Sequence, residues 1–201
     1  MINAKLREGW DRLMQPVGRW LARTPLSADA VTLFGVALQG VIAYLILEGH
    51  LLLAGLLGIV AGFADAFDGA LAKAKGKASK WGAFLDSTTD RLSDALVLAP
   101  IVWLYGVDPD IPARDSETTA ILALVALVSS FLVSYTKARA ESLGFKCDVG
   151  IAERAERLMI IIAALILDLV PLGAGVLAVL GTVTFLQRVI YVYGQRETRG
   201  S

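Results

Sequence analysis

The sequence predicts an all-α integral membrane protein with six transmembrane helices and an amphipathic interfacial helix at the N-terminus. Hydrophobic residues make up 56% of the 201 residues, and the mean hydropathy of +0.62 is high for a soluble domain of this size. Apolar runs recur near the ~20 residues that an α-helix needs to cross a bilayer. We therefore expect one membrane domain over residues 1–201, with a surface helix over 1–25 and a six-helix transmembrane core over 29–195.

The N-terminal segment is amphipathic. Its apolar residues follow helical spacing from Leu6 to Leu21, and basic residues stand between them. A helix of this kind lies on a membrane surface with its basic side chains towards anionic headgroups. The alternative is a solvated helix that packs on the protein, but the tryptophans of this segment favour the membrane surface.

Six apolar stretches follow, and we expect each to cross the membrane. They lie near residues 30–48, 51–73, 83–105, 118–140, 155–170 and 172–194. Pro171, together with Gly173 and Gly175, is expected to separate the last two. With this order of spans, every Lys and Arg except Arg114 falls on one side of the membrane. The positive-inside rule identifies that side as the cytoplasm, so both termini should be cytoplasmic.

Four aspartates stand out in this apolar chain. Asp65 and Asp68 are spaced i, i+3 and Asp86 and Asp90 are spaced i, i+4, so each pair shares one face of a helix. Two helices joined by a short Gly/Lys loop would direct both pairs to one point. Clustered carboxylates in a poorly hydrated site need cations, and oxygen-only ligands suit Mg²⁺ or Mn²⁺ beside a substrate phosphate. The sequence predicts a metal–phosphate site that opens to the cytoplasm.

The alternative for these acids is interhelical ion pairing with Lys73, Lys80 or Arg91. Four acids beside a glycine exceed what such pairing needs, which favours the metal site. Asp94 continues the same helix face, and we expect it to make a polar contact between helices rather than to bind metal.

A second group of charged residues is basic. It comprises Lys137 and Arg139, then Arg154 and Arg157, then Arg188, and it comes from three predicted helices. Cations that converge from three helices beside a metal site would form a pocket for a second phosphate. Positive-inside charge and ion pairs such as Arg157 with Glu153 explain the same residues equally well, so both alternatives stay open.

The acids resemble a known signature. Asp65-x-x-Asp68-Gly69-x-x-Ala72-Lys73, followed by Gly82-x-x-x-Asp86-x-x-x-Asp90, is similar to the motif of the CDP-alcohol phosphotransferases, which have Arg where this chain has Lys73. The resemblance implies an enzyme in which Asp65, Asp68, Asp86 and Asp90 hold two Mg²⁺ ions (or Mn²⁺) and Asp90 is also the general base.

The same resemblance implies a binding site for the nucleotide of a CDP-lipid. The expected residues are Asp65, Asp68, Gly69, Ala72, Lys73, Gly82 and Asp86. Ser79 and the pair Asp29 and Thr32 are further candidates for contacts to the nucleotide, although N-capping explains Asp29 and Thr32 equally well. The ammonium of Lys73 can neutralise a phosphate but cannot reproduce the hydrogen-bonding fork of a guanidinium.

Two further segments, 135–141 and 151–158, are similar to the actinobacterial phosphatidylinositol phosphate synthases. The resemblance implies that Lys137, Arg154 and Arg188 bind the phosphate of inositol phosphate. It also implies transfer of a phosphatidyl group from CDP-diacylglycerol to myo-inositol 3-phosphate, with release of CMP. The expected partners are these two substrates, membrane lipids and a second copy of the chain, without nucleic acid, in the plasma membrane of a bacterium.

Two other functions stay open from the sequence. Glycerol 3-phosphate also carries a phosphate, so a phosphatidylglycerol phosphate synthase would need a similar basic pocket. A divalent-cation or phosphate transporter is the alternative outside enzymes, but such proteins often contain inverted repeats, and no internal repeat stands out here.

Overall fold

The computed structural model describes residues 27–74, 79–108 and 113–196, together with residues 16, 23 and 24. Within these ranges, the side chains of residues 28, 65, 66, 68–70, 72–74 and 113–115 lie outside the description. The described residues form six α-helices and no strand, which confirms the all-α class. The predicted surface helix over 1–25 lies almost entirely outside the described residues.

The helix bounds agree with the predicted apolar stretches to within a few residues at each end. The helices are α1 (Ala28–Leu47), α2 (Leu51–Ala74), α3 (Lys80–Val107), α4 (Ala113–Ser142), α5 (Arg154–Ile166) and α6 (Val170–Gly194). The expected break at Gly173 and Gly175 is wrong, because both glycines lie inside α6 and the chain turns before Val170. Pro171 lies in the first turn of α6, where its missing N–H costs no helical hydrogen bond.

Two helix starts near the predicted site are capped by serines. Ser27 Oγ accepts a hydrogen bond from the Ala30 N–H at 3.1 Å and begins α1. Ser79 Oγ accepts one from the Gly82 N–H at 2.9 Å and begins α3. Such caps satisfy backbone donors that have no partner within the helix. The N-capping alternative for Asp29 is therefore wrong, since Ser27 is the cap and Asp29 lies in the first turn.

Three of the described helical segments are long and apolar enough to cross a membrane. They are Asp29–Leu47, Ser116–Ser142 and Val170–Gly194, and Leu51–Ala64 is a shorter apolar segment. The N-terminal half of α3 is interrupted by charged residues, including Asp86, Asp90 and Asp94. α5 has 13 residues and is about 20 Å long at 1.5 Å per residue. α3 therefore differs from the three apolar segments in its charged residues, and α5 differs from them in its short length.

Small residues hold α5 between its neighbours. A Cβ added at Gly173 of α6 would lie 2.4 Å from Ala164 Cβ of α5. A Cβ added at Gly55 of α2 would lie 2.6 Å from the Ile166 side chain of α5. Small residues of this kind let membrane helices approach closely. The position of α5, which carries Arg154 and Arg157, therefore depends on these glycine contacts.

We predict that Gly173→Ala lowers the thermal unfolding midpoint of the protein in detergent. Neither Ala164 Cβ nor the new methyl can rotate away, so α5 and α6 must separate, at a cost of about 1–3 kcal/mol for overpacking. Gly40→Ala on α1 is the matched control, because a Cβ there meets nothing within 4 Å. Equal midpoints for the two variants would contradict the packing account.

Candidate active site

A cavity of about 590 Å³ opens between α3, α4, α5 and α6. It brings together residues that lie far apart in the sequence. Among the described residues, its charged lining consists of Asp86, Asp90, Arg91, Lys137, Glu141, Glu153, Arg154, Arg157 and Arg188. One wall thus carries two of the predicted metal-binding aspartates, and the others carry the three basic residues expected to bind the acceptor phosphate.

The acidic wall is formed by α3. Asp86 and Asp90 are one helical turn apart and both line the cavity. Asp65 and Asp68 belong to α2, but their side chains lie outside the described residues, and so do those of Gly69, Ala72 and Lys73. Within the described part of the chain, no three His, Cys, Asp or Glu side chains are placed so that they could hold a metal ion together. The two described carboxylates fit the hard oxygen donors that Mg²⁺ or Mn²⁺ prefers.

Arg154, the first residue of α5, pairs with Asp90. Its Nη1 lies 2.8 Å from Asp90 Oδ1, and the two side chains are 25% and 22% exposed. The Nε atom of Arg154 lies 3.9 Å from Asp94 Oδ1. The ion pair joins the residue expected to be the general base to a residue expected to bind the acceptor phosphate. This contact was not predicted from the sequence.

Asp94 links three helices. Arg157 Nη2 of α5 lies 3.3 Å from Asp94 Oδ2, and Ser130 Oγ of α4 donates a hydrogen bond to the same oxygen. Arg157 Nη1 also donates to the carbonyl oxygen of Ala152 at 3.2 Å. Asp94 therefore makes the expected polar contact between helices. The pairing of Arg157 with Asp94 was not predicted from the sequence. A usable signal was present, because two acids of α3 (Asp90 and Asp94) are spaced i, i+4 and two arginines of α5 (Arg154 and Arg157) are spaced i, i+3.

Arg188 is 5% exposed and holds the loop between α4 and α5. Its Nε donates to the carbonyl oxygen of Val149 at 2.9 Å, and its Nη1 donates to that of Val133 at 2.7 Å. Gly150 lets the loop pass this close, because its φ is +147° and an added Cβ would lie 2.7 Å from the Thr184 side chain. Two of the five N–H donors of the guanidinium are thus used to position backbone.

Lys137 lines the basic side of the cavity, and the buried Cys147 lies within electrostatic range of Lys137 and Arg188. Lys137 Nζ lies 3.9 Å from Glu141 Oε1 and 3.8 Å from Asp148 Oδ1, and the Asp148 side chain is 79% exposed. These are weak, partly solvated contacts. Burial raises the pKa of the Cys147 thiol by more than Arg188 and Lys137 lower it. The thiol therefore stays neutral at physiological pH and adds no negative charge beside Arg188.

A second, smaller polar pocket of about 10 Å³ lies between α1, α2, α3 and α5. Its lining includes Thr32, Gln39, Ser93 and Arg154, so Arg154 lines both cavities. Thr32, which was predicted to contact the nucleotide, therefore lines the same pocket as Arg154, a residue of the basic site. Asp29, Ser79 and Gly82, which were also predicted to bind the nucleotide, are not among the residues that line either cavity.

The model of the CDP-alcohol phosphatidyltransferase family matches residues 26–189. The chain belongs to this family, and the transporter alternative is therefore wrong. The chain is 37% identical to the archaetidylinositol phosphate synthase of Pyrococcus horikoshii, over 92% of this chain and 94% of the relative. It is 35% identical to the phosphatidylinositol phosphate synthase of Mycobacteroides abscessus, over 91% and 84%.

Solved structures agree with this assignment. The crystal structure of Mycobacterium tuberculosis phosphatidylinositol phosphate synthase with CDP-DAG bound matches with a TM-score of 0.81 and 32% identity. The match covers 90% of this chain and 94% of that chain. The same protein in complex with manganese and citrate matches with a TM-score of 0.80 and 32% identity, over 90% and 88%.

We predict that Arg188→Lys destabilises the ligand-free protein. A lysine ammonium cannot reach both carbonyl oxygens in the geometry of the guanidinium, so at least one charge-assisted hydrogen bond worth about 1.5–3 kcal/mol is lost. Thermal unfolding in detergent measures the effect. Arg139→Lys, at an exposed position in the last turn of α4, is the control. An unchanged midpoint in Arg188→Lys would show that the two contacts do not hold the loop.

Proposed function

We propose that the protein is a phosphatidylinositol phosphate synthase, which transfers the phosphatidyl group of CDP-diacylglycerol to myo-inositol 3-phosphate and releases CMP. The observation that carries the proposal is the cavity. Asp86 and Asp90 of α3 line one side of it, and Lys137, Arg154 and Arg188 line the other sides. An acidic wall beside a basic wall suits a reaction between two phosphate-bearing substrates. Family membership and the similarity to phosphatidylinositol phosphate synthases support this assignment.

Each part of the site has a proposed role in the transfer. Asp65, Asp68, Asp86 and Asp90 would hold two divalent ions, Mg²⁺ or Mn²⁺. When bound, the ions neutralise the diphosphate and stabilise charge on the leaving group. Asp90 accepts the proton of the attacking hydroxyl. Two further sets of residues are proposed to bind the two substrates. The nucleotide is bound by Asp29, Thr32, Gly69, Ala72, Lys73, Ser79 and Gly82, and the acceptor phosphate by Lys137, Arg154 and Arg188.

The acceptor is proposed to be an inositol phosphate rather than glycerol 3-phosphate. Both carry a phosphate that the basic wall can bind, so the cavity alone does not distinguish them. Both relatives, the archaetidylinositol phosphate synthase and the phosphatidylinositol phosphate synthase, are named for an inositol phosphate product. The relatives differ in the lipid, so a comparison of ester-linked and ether-linked CDP-lipids would test the proposed donor.

We further propose the full membrane arrangement predicted from the sequence. It has six membrane-crossing helices within residues 29–195, a surface helix over 1–25 and one domain over 1–201. Both termini and the active site face the cytoplasm at the plasma membrane of a bacterium, and two copies form a homodimer. The one-sided distribution of Lys and Arg supports the orientation. Large exposed apolar side chains such as Phe34, Trp103 and Ile190 suit contact with lipid.

The direct test is CMP release by the purified protein with CDP-diacylglycerol and Mg²⁺, using four acceptors. The acceptors are inositol 3-phosphate, free inositol, glycerol 3-phosphate and serine. We expect release with inositol 3-phosphate at least about tenfold above free inositol and serine, because the basic wall stabilises a phosphorylated acceptor, and above glycerol 3-phosphate, because the proposed acceptor is an inositol phosphate. Release with glycerol 3-phosphate alone would establish the phosphatidylglycerol phosphate reaction instead. No release with any acceptor would contradict the proposed function.

We predict that Asp90→Asn lowers kcat by roughly 10²–10⁴-fold, since an amide cannot accept the hydroxyl proton. The affinity for CDP-diacylglycerol should stay close to that of the unmodified protein, because the other proposed contacts to the nucleotide are unchanged. Steady-state kinetics and equilibrium binding of the lipid separate the two effects. Glu48→Gln, an exposed carboxylate at the end of α1, is the matched control. Near-normal turnover in Asp90→Asn would remove Asp90 from the role of base.

A further inference from the structure

The ion pair between Arg154 and Asp90 connects two parts of the site that have separate proposed roles. The Nη1–Oδ1 distance of 2.8 Å is that of a charge-assisted hydrogen bond. The same carboxylate has to accept a proton from the attacking hydroxyl, and the same guanidinium has to bind the acceptor phosphate. Neither role can be fulfilled in full while the two groups hold each other.

The other cations of the cavity are held in different ways. Arg188 donates to two backbone carbonyl oxygens, and Arg157 is held by Asp94 and by the Ala152 carbonyl oxygen. Lys137 makes only long contacts, to Glu141 and Asp148. Of the two ion pairs that Arg154 makes with described residues of α3, the shorter is to the proposed base, Asp90. The Nε atom of Arg154 lies 3.9 Å from Asp94 Oδ1, and the side chain already lines the cavity.

We propose that Arg154 is a specificity-determining residue that holds Asp90 until the phosphate of the acceptor draws the guanidinium away. This inference rests on the proposed function and adds a reason for acceptor selectivity. A phosphate offers the guanidinium a doubly charged partner with several acceptor oxygens, so it can replace one carboxylate oxygen. A water molecule or free inositol offers no anionic group and leaves the pair closed.

The ion pair between Arg154 and Asp90 bears on a competing reaction, in which water instead of the acceptor attacks CDP-diacylglycerol. In either reaction, the bond between the lipid phosphorus and the bridging oxygen of CMP breaks, and CMP leaves with the electron pair. A new bond forms from that phosphorus to the oxygen of the acceptor or of water, and the proton of that oxygen passes to Asp90. With the pair closed, Asp90 is withheld from water. CDP-diacylglycerol is thus preserved until a phosphorylated acceptor is present.

The first test is acceptor-independent CMP release by Arg154→Gln with CDP-diacylglycerol and Mg²⁺. We expect hydrolysis to rise at least about fivefold above that of the unmodified protein, while transfer to inositol 3-phosphate falls. Arg91→Gln is the matched control, since it removes a cation from the same cavity whose hydrogen bond is to the Ser87 carbonyl oxygen of its own helix. It should leave hydrolysis unchanged. Unchanged or lower hydrolysis in Arg154→Gln would overturn the inference.

The second test is equilibrium binding of inositol 3-phosphate by titration calorimetry, with EDTA and without CDP-lipid. Asp90→Asn removes the carboxylate that lies 2.8 Å from Arg154, so the phosphate no longer has to break that ion pair in order to bind. Asp86→Asn removes an equal charge from the same wall and serves as the control. We expect the dissociation constant of Asp90→Asn to lie at least about fivefold below that of Asp86→Asn. Equal constants would overturn the inference.

These tests distinguish the inference from the proposed function. Absence of transfer to inositol 3-phosphate in the unmodified protein would contradict the function itself. If the unmodified protein transfers the phosphatidyl group to inositol 3-phosphate, but hydrolysis does not rise in Arg154→Gln, only the proposed role of Arg154 is contradicted. If Arg154→Gln fails to fold, as judged by size-exclusion chromatography, the comparison of Asp90→Asn with Asp86→Asn decides the question.

Discussion

The site depends on the pairing of two acids of α3 with two arginines of α5. Asp90 lies 2.8 Å from Arg154, and Asp94 lies 3.3 Å from Arg157. Charged side chains are costly in an apolar helical bundle unless they are paired or face a water-filled cavity. Both pairs meet the first condition, and Asp90, Arg154 and Arg157 also line the cavity. They also fix the spacing between α3 and α5, and this spacing determines the width of the cavity in which the two substrates are proposed to meet.

The rest of the fold supports this pairing. Gly55 of α2 and Gly173 of α6 allow the close packing that holds α5 from two sides. Arg188 ties α6 to α4 and to the loop that leads into α5, through the carbonyl oxygens of Val133 and Val149. A residue expected to bind phosphate thus also has a structural role. The arrangement produces a preorganised basic wall, in which Arg154 is paired with the proposed general base, Asp90.

The sequence predicted the fold well because apolar length and periodicity are local properties. The all-α class and the helix bounds followed from them, whereas the glycines of α6 were misread as a break because close packing against Ala164 is not visible in a sequence. The spacing of Asp86 and Asp90 predicted one shared acidic wall. The partners of Arg154 and Arg157 could not be predicted, since they depend on how α5 is rotated against α3. Asp65, Asp68, Asp86 and Asp90 all stay predictions as metal ligands.

A structure of the protein with inositol 3-phosphate bound would test the central claim most directly. The claim is that the basic wall receives the acceptor phosphate and that Arg154 leaves Asp90 when it does so. We expect the phosphate to lie between Lys137, Arg154 and Arg188, with the nearest Arg154–Asp90 nitrogen–oxygen distance beyond the hydrogen-bonding limit of about 3.5 Å. A phosphate bound elsewhere, or bound at this wall with the Arg154–Asp90 pair still closed, would contradict the account.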